Sequence, residues 1–204
     1  MQIFLTGIGC VGKSTIGAII ADLLGIKFFD LDVEVEAFFQ TSIERLQGRF
    51  FNMHGYRIEA AKALTHLLNR PESRESVIAL PPSGLMGGYL KALKKSSGIK
   101  VAITDEPVNI VERLKFYDID SIPIEKELSP KEKKLYLSEI KRDMSYFGKT
   151  YKRADLQVDI SGLDPVQAAR KIIEMIKLQP DLDHLPSGTV GVTRSEECDS
   201  GAAV

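Results

Sequence analysis

The chain has 204 residues, of which 44% are hydrophobic and 27% charged, a composition typical of a globular protein with one sizeable domain. Its net charge of −1 gives no general attraction to nucleic acid or to an anionic membrane, and no apolar run approaches the roughly 20 residues of a membrane span. Two distant cysteines and three scattered histidines form no disulfide or metal-binding pattern, and because the N-terminus carries no export signal we expect a cytoplasmic protein.

The first motif along the chain is a predicted phosphate-binding loop at 7–15, with the sequence GIGCVGKST. It fits G-x-x-x-x-G-K-[ST] and lies between an apolar strand at 2–6 and a helix with apolar residues at helical spacing, which Gly25 ends. Glycines let successive backbone N–H groups face one concavity, where phosphate oxygens bind near the positive end of the helix. Lys13 would then bridge the outer phosphates of a nucleoside triphosphate, and the Ser14 hydroxyl would hold Mg²⁺. The residues predicted to bind the nucleotide are Gly7, Gly9, Val11, Gly12, Lys13, Ser14 and Thr15.

An acidic pair, Asp30 and Asp32, follows the second predicted strand at 26–29. If the chain is still extended there, both carboxylates point the same way. One could then orient Mg²⁺ through water while the other accepts a proton from an attacking hydroxyl. The alternative is that Asp32 only caps the next helix, predicted at 33–39. The pattern then predicts helices at 42–46 and 56–68 and a strand at 77–80, with no clear assignment for 47–55.

The second half of the chain continues this alternation. The predicted elements are helices at 85–95, 108–114, 129–147 and from 164 onward, and strands at 100–104 and 156–160. Residues 116–128 lack a clear period, which indicates a mobile surface segment, and 180–204 are rich in Pro, Gly, Ser, Thr and Asp, which indicates a disordered tail. Five strands alternating with helices predict a three-layer α/β/α domain at 1–179 with a five-stranded parallel sheet. Ligands of such sheets bind at the carboxyl ends of the strands.

These motifs, in their order and spacing, resemble those of the shikimate kinases, which are P-loop kinases. The matching stretches are 7–15, 28–32, 42–43, 56–57 and 77–80, with weaker agreement at 158–159 and 164–165. The resemblance covers approximately residues 1–178. It implies a small monomeric kinase with a five-stranded parallel sheet, a helical substrate-binding region and a lid, here at about 116–128, that closes over ATP.

By the same resemblance, the chain transfers a phosphoryl group from ATP to a hydroxyl of shikimate, with Mg²⁺ as cofactor. ATP and this small hydroxy acid are the expected partners, without nucleic acid or membrane. Lys13 and Asp32 are then the catalytic residues, and Asp32 contacts the hydroxyl that is phosphorylated. Asp30 assists the metal that Ser14 binds. Arg57 pairs with the substrate carboxylate, a role that suits a fork-shaped guanidinium.

Two segments depart from the family's pattern. The family has a glycine triplet after its third strand, whereas this chain has Pro81-Pro82-Ser83, and a proline has no N–H to offer a substrate. The family's lid carries an Arg-Pro pair, whereas this chain has Ile122-Pro123, and isoleucine cannot stabilise the charge of the transferring phosphates. Arg113 or Lys115, nearby in sequence, could substitute.

In the family, a second arginine also binds the substrate carboxylate. This arginine lies four residues before a tyrosine in the late helix, and Arg142 with Tyr146 fits this spacing. Arg142 is therefore predicted to bind the substrate. An alternative register on Tyr151 would leave Lys149 as the nearest cation.

Two other functions stay open at this point. The chain could phosphorylate a different small acceptor, such as a gluconate-like or nucleoside-type molecule, because the proline pair reshapes the acceptor pocket. It could also be an ATP-binding regulatory module with weak or no transfer, because the lid carries isoleucine where the family has arginine.

Overall fold

The structure is a computed structural model and describes residues 1–179. Five of its strands form the predicted parallel sheet, in the order β2-β3-β1-β4-β7. The strands are β1 (Gln2–Thr6), β2 (Lys27–Asp30), β3 (Ser76–Ala79), β4 (Ile99–Thr104), β5 (Phe116–Tyr117), β6 (Pro123–Ile124) and β7 (Leu156–Asp159). The phosphate-loop strand β1 therefore lies at the centre of the sheet, paired with β3 on one side and β4 on the other.

Helices cover both faces of the sheet, as a three-layer α/β/α domain requires. They are α1 (Lys13–Leu24), α2 (Leu31–Phe39), α3 (Ile43–Gln47), α4 (Met53–Asn69), α5 (Gly87–Leu93), α6 (Pro107–Val111), α7 (Pro130–Tyr151) and α8 (Pro165–Lys177). One apolar cluster joins the sheet to α1, α6, α7 and α8, and a second joins its other face to α2, α3, α4 and α5. Within residues 1–179, no helix has the length and apolar composition to cross a membrane.

Several predicted helix ends were wrong. Residues 47–55, which have no clear assignment from sequence, contain the start of α4 at Met53. The Asn52 side chain is the N-cap of this helix and accepts a hydrogen bond from the Gly55 N–H. The helix predicted at 85–95 is shorter, and α7 continues through Gly148 to Tyr151. A single glycine costs a helix only about 1 kcal/mol relative to alanine, so packing of α7 on the sheet outweighs it.

The segment at 116–128, predicted to lack regular structure, contains a short antiparallel hairpin of β5 and β6. Its turn is held by Asp118, whose carboxylate accepts hydrogen bonds from the N–H groups of Asp120 and Ile122. Strands of two residues are too short to show the alternation that identifies a strand in sequence. The disordered tail predicted at 180–204 lies outside the described residues.

Candidate active site

The phosphate loop joins β1 to α1 through a backbone that only small residues tolerate. Gly7 has a φ angle of 151° and Gly12 one of 109°, and Cys10 between them also has a positive φ of 57°. A Cβ atom at Gly7 would lie 2.6 Å from the carbonyl oxygen of Ile103 on β4. The glycines therefore let the loop curl closely over the centre of the sheet, at the N-terminus of α1.

The ammonium group of Lys13 points back into this loop. It donates hydrogen bonds to the carbonyl oxygens of Gly7 and Ile8, at 3.0 and 2.8 Å. Burial lowers the pKa of Lys13, although the nearby carboxylates of Asp32 and Asp30 oppose this change. A cation so placed can interact with the phosphates of a nucleotide held by the loop.

Ser14 and Asp30 form a second polar group beside the loop. The Ser14 hydroxyl donates to Asp30 Oδ2 at 2.5 Å, while Asp30 Oδ1 accepts from the Asp32 N–H at 3.0 Å. A hydroxyl and a carboxylate are hard oxygen ligands of the kind that Mg²⁺ prefers. No group of three or more His, Cys, Asp or Glu side chains within residues 1–179 could hold a metal alone. This donor set therefore fits Mg²⁺, which commonly takes its other ligands from substrate phosphates and water.

Asp32 lies in the first turn of α2, so the expectation of an extended backbone there was wrong. The helix begins at Leu31, and Asp30 rather than Asp32 caps it. Because Asp30 satisfies the helix end, the Asp32 carboxylate is left without a hydrogen bond in the part of the chain that the structure describes. The residue is exposed to solvent, but neighbouring groups reduce the hydration of its carboxylate. Loss of hydration is the largest cause and the charge of Asp30 the second, and together they raise the pKa of Asp32 to about 6. The positive charge of Lys13 lowers this pKa but does not cancel the increase.

Arg57 lies on α4. Its Nε atom is buried and has no hydrogen-bond partner among residues 1–179. Burial raises the pKa of the neighbouring Tyr89; the charge of Asp32 raises it further and that of Arg57 lowers it. Asp32 and Arg57 therefore both lie near the buried side chain of Tyr89. Tyr89 was not singled out in the sequence, because a lone tyrosine on a helix carries no motif.

The loop after β3, where the chain has Pro81-Pro82-Ser83, is attached to the C-terminal end of α7. The Tyr151 hydroxyl donates to the Pro82 carbonyl oxygen at 3.2 Å, and Arg153 Nη1 donates to the Leu85 carbonyl oxygen at 2.9 Å. The two prolines of this segment offer no N–H groups to a ligand.

The structure does not bring every predicted residue to this cleft. Arg142 is exposed on α7, nine residues before Tyr151, and no hydrogen bond or ion pair within residues 1–179 involves it. Ile122 is 58% exposed on the lid hairpin. Arg113, named as a substitute for a lid cation, instead donates to the buried carboxylate of Asp105. Lys115 is exposed.

Comparisons with known proteins agree with this arrangement. A family model described as "Shikimate kinase" matches residues 9–177. A shikimate kinase of Caldicellulosiruptor saccharolyticus is 29% identical over 175 residues, which are 85% of this chain and 94% of that protein.

Solved structures show the same similarity. The crystal structure of shikimate kinase from Aquifex aeolicus is 27% identical, with a TM-score of 0.61 over 87% of this chain and 96% of that one. Shikimate kinase from Acinetobacter baumannii in complex with shikimate has a TM-score of 0.63 at 22% identity, over 86% and 92% of the two chains, and shows the fold alone. Because the family model spans nearly the whole of the described chain, this protein belongs to the shikimate kinase family.

Proposed function

We propose that the chain transfers the γ-phosphoryl group of ATP to a hydroxyl of shikimate, giving shikimate 3-phosphate and ADP. The single observation that carries the proposal is that Asp32 lies near Lys13 of the phosphate loop and that Asp32 and Arg57 both lie near the buried Tyr89. Asp32 has a carboxylate without a hydrogen bond, and Arg57 has a buried nitrogen without a partner, among the described residues. Membership of the family supports the same reaction.

The phosphate loop would bind ATP through its backbone N–H groups and Lys13. The nucleotide-binding assignment of Gly7, Gly9, Val11, Gly12, Lys13, Ser14 and Thr15 belongs to this proposal. Ser14 and Asp30 would hold Mg²⁺. When bound, this ion would neutralise negative charge on the phosphates.

Asp32 would act on the acceptor. A carboxylate with a pKa of about 6 is a stronger base than an ordinary aspartate, yet it is mostly ionised at pH 7. As the acceptor oxygen attacks the γ-phosphorus, its proton passes to the Asp32 carboxylate. The bond between the γ-phosphorus and the bridging oxygen breaks, and ADP leaves with that electron pair.

Arg57 would select an acceptor with a carboxylate. A buried polar atom left without a hydrogen bond costs roughly 1–3 kcal/mol, and a ligand carboxylate recovers this cost. The planar guanidinium matches the two oxygens of a carboxylate. A neutral polyol of similar size lacks this contact. The shikimate kinase from Acinetobacter baumannii was solved in complex with shikimate, which carries such a group.

Two further assignments stay predictions. Arg142 would supply a second contact to the acceptor carboxylate, which requires its side chain to turn toward the cleft from its exposed position on α7. The protein would act as a monomer, without nucleic acid or membrane as a partner.

The proposal is tested by ADP release from Mg-ATP with shikimate, and with gluconate as the competing acceptor. We expect shikimate-dependent turnover in the wild-type protein and a loss of about 10²–10⁴-fold in kcat for Asp32→Ala, because general base catalysis contributes that much. ATP affinity, measured by calorimetry, should stay within about twofold of the wild type. The matched control is Asp22→Asn, an exposed aspartate of α1. Turnover with gluconate alone, or ATP binding without turnover on either acceptor, would refute the proposal.

A further inference from the structure

The turn of the lid hairpin is docked on α2, the helix that carries Asp32, and on α3, the next helix. We call these contacts the clasp. They join Asp120 to Arg45, Ser121 to Glu36, and the Ile119 carbonyl to Ser42. The residues on the helix side belong to α2 and to the start of α3, whereas the lid residues lie about 75–85 positions later in the chain.

The ion pair of the clasp is bidentate. Arg45 Nε donates to Asp120 Oδ1 at 2.6 Å, and Arg45 Nη2 donates to Asp120 Oδ2 at 3.1 Å. This contact lowers the pKa of Asp120 and raises that of Arg45. Each side chain is 51% exposed, and an exposed pair is usually weak unless its geometry is good or other contacts support it. Here the geometry is good, because two parallel hydrogen bonds join the guanidinium to the carboxylate, and the other contacts of the clasp support the pair.

One carboxylate oxygen of Glu36, on α2, binds both the start of α3 and the lid turn. Glu36 Oε1 accepts a hydrogen bond from the Ile43 N–H at 3.0 Å, at the first residue of α3, and another from the Ser121 hydroxyl. Ser42, the N-cap of α3, donates its hydroxyl proton to the Ile119 carbonyl oxygen at 2.5 Å. The position of α3 and the position of the lid turn are therefore set by the same groups.

The backbone at Ser121 gives independent support for the clasp. Ser121 has a φ angle of 61°, in the left-handed region where glycine is favoured and side chains are rare. A glycine would fit this turn at lower conformational cost. The Ser121 hydroxyl donates to Glu36, so the strained backbone accompanies a contact that glycine cannot make.

The charges of the turn also favour the clasp. The lid sequence from Phe116 to Glu125 contains no lysine or arginine, but it contains Asp118, Asp120 and Glu125. Two backbone N–H groups interact with the Asp118 carboxylate, and Arg45 interacts with that of Asp120. Arg45 is the positively charged partner of the Asp120 carboxylate among the described residues, and its loss would leave that charge uncompensated.

We propose that Arg45 and Glu36 are positioning residues for phosphoryl transfer, which hold the closed lid on the acceptor-side helices through protein contacts. The inference rests on the proposed function. Because Asp32 lies on α2 one turn before Glu36, a lid docked on Glu36 has a defined position relative to the acceptor. Loss of the clasp should therefore lower kcat and admit water to the cleft, while the phosphate loop still binds ATP.

The main test variant combines Arg45→Gln with Ser121→Gly. The second substitution also relieves the left-handed backbone, so a functional loss would not come from a destabilised turn. We expect faster amide hydrogen exchange at 116–124, about a tenfold loss of kcat with shikimate and a KM for ATP within about twofold of the wild type. Hydrolysis of ATP without acceptor should rise.

Two further variants control for charge and for general surface effects. The exchange Arg45→Asp with Asp120→Arg rebuilds the ion pair in reverse and should restore slow amide exchange. Lys62→Gln removes an ion pair with Glu59 on α4, at 2.6 Å and away from the lid. It should change neither the amide exchange at 116–124 nor kcat. Because the chain contains no tryptophan, Tyr117→Trp supplies a fluorescent lid reporter for all variants.

Wild-type amide exchange and wild-type kcat in the double variant would overturn the proposal. So would equal losses in the double variant and in Lys62→Gln. The exchange and fluorescence measurements need no turnover, so they test the docking of the lid even if shikimate is not the acceptor. Failure of the proposed function would be recognised separately, by the absence of turnover in the wild-type protein.

Discussion

Asp30 and Asp32 have the same side chain and lie two residues apart, yet their surroundings give them different chemistry. Asp30 accepts hydrogen bonds from Ser14 and from the Asp32 N–H, so both of its oxygens have partners. Asp32 has no such partner in the described residues, and its pKa is raised to about 6 by limited hydration and by the charge of Asp30. The first carboxylate therefore suits a structural and metal-binding role, and the second suits proton transfer.

Arg57 allows the role of the acceptor carboxylate to be tested at a single residue. We expect Arg57→Gln to raise the KM for shikimate about 10–100-fold, because a charge-assisted bidentate contact contributes roughly 1.5–3 kcal/mol. The KM for ATP should change little, since the phosphate loop is not altered. The measurement is steady-state ADP release at varied concentrations of each substrate. The exposed Arg49 provides the matched control, as Arg49→Gln, and an equal increase in both variants would contradict the assignment.

At the scale of elements, the distance of helix α1 from the sheet is set by a close contact at one glycine. Helix α1, which carries Lys13 and Ser14, packs closely on β1 and β2 at Gly17. A Cβ atom at Gly17 would lie 2.7 Å from the Phe28 ring and 3.1 Å from Leu5 Cδ1. The absence of a side chain there lets the helix, and with it the phosphate loop, approach the sheet.

Two glycines inside helices should therefore respond in opposite ways to alanine. Gly17→Ala should lower the free energy of unfolding by about 1–3 kcal/mol, because the added methyl group overpacks a tight contact. Gly148→Ala in α7 should raise it by about 0.5–1 kcal/mol, because a Cβ atom there meets nothing within 4 Å and alanine favours the helix. Urea unfolding at pH 7 measures both. A stabilising Gly17→Ala would contradict the close packing of α1.

The junction between β4 and α6 depends on Asp105, whose side chain is only 3% exposed. It accepts hydrogen bonds from the Glu106 N–H at 2.7 Å, from Asn109 Nδ2 at 2.8 Å and from Arg113. Burial would raise the pKa of Asp105, but the bonds from Asn109, Arg113 and the Glu106 N–H outweigh burial and lower it. Asp105 therefore stabilises the fold at neutral pH in its ionised form.

The sign of this effect sets a pH dependence for Asp105→Asn. A group whose folded pKa lies below its unfolded value stabilises the protein above the unfolded pKa, and this stability is lost as the pH falls through the folded pKa. We expect the variant to be less stable than the wild type by about 1–3 kcal/mol at pH 7, with a smaller difference at pH 3. Urea unfolding at the two pH values tests this. The exposed Asp22→Asn should show no such dependence, and a difference that grows toward pH 3 would contradict the account.

The strand order of the whole molecule brings two loops beside each other. The central strand β1 ends in the phosphate loop, and its neighbour β3 ends in the loop that contains Pro81-Pro82-Ser83. Because all five strands are parallel, both loops emerge at the same edge of the sheet. The lid hairpin then connects the end of α6 to α7 and docks on the acceptor-side helices.

Residues 1–179 contain the whole sheet and both apolar clusters, so we expect the domain boundary predicted from the sequence to hold. A chain that ends at Gln179 should keep the kcat of the full chain and a thermal midpoint within about 2 °C of it, since residues 1–179 already form the five-stranded sheet and two apolar clusters. Calorimetry and ADP release measure both. A lower midpoint or a changed KM would show that residues 180–204 contact the domain.

The sequence by itself determined the features that depend on neighbours along the chain. The phosphate loop, the apolar helix that follows it and the capping box at Ser129 and Glu132 are all present as predicted, because each is specified within about one or two helical turns. The alternation of strands and helices likewise predicted the parallel five-stranded sheet.

Only the tertiary structure decided what depends on distant residues. Asp30 caps α2, so the Asp32 carboxylate has no hydrogen-bond partner among residues 1–179, and loss of hydration followed by the charge of Asp30 raises its pKa. The turn of the lid hairpin is held in position because Asp120 forms an ion pair with Arg45, which lies 75 residues earlier in the chain. Such contacts leave no periodic trace in either segment, since each side chain is specified by its partner in space and not by its neighbours in sequence.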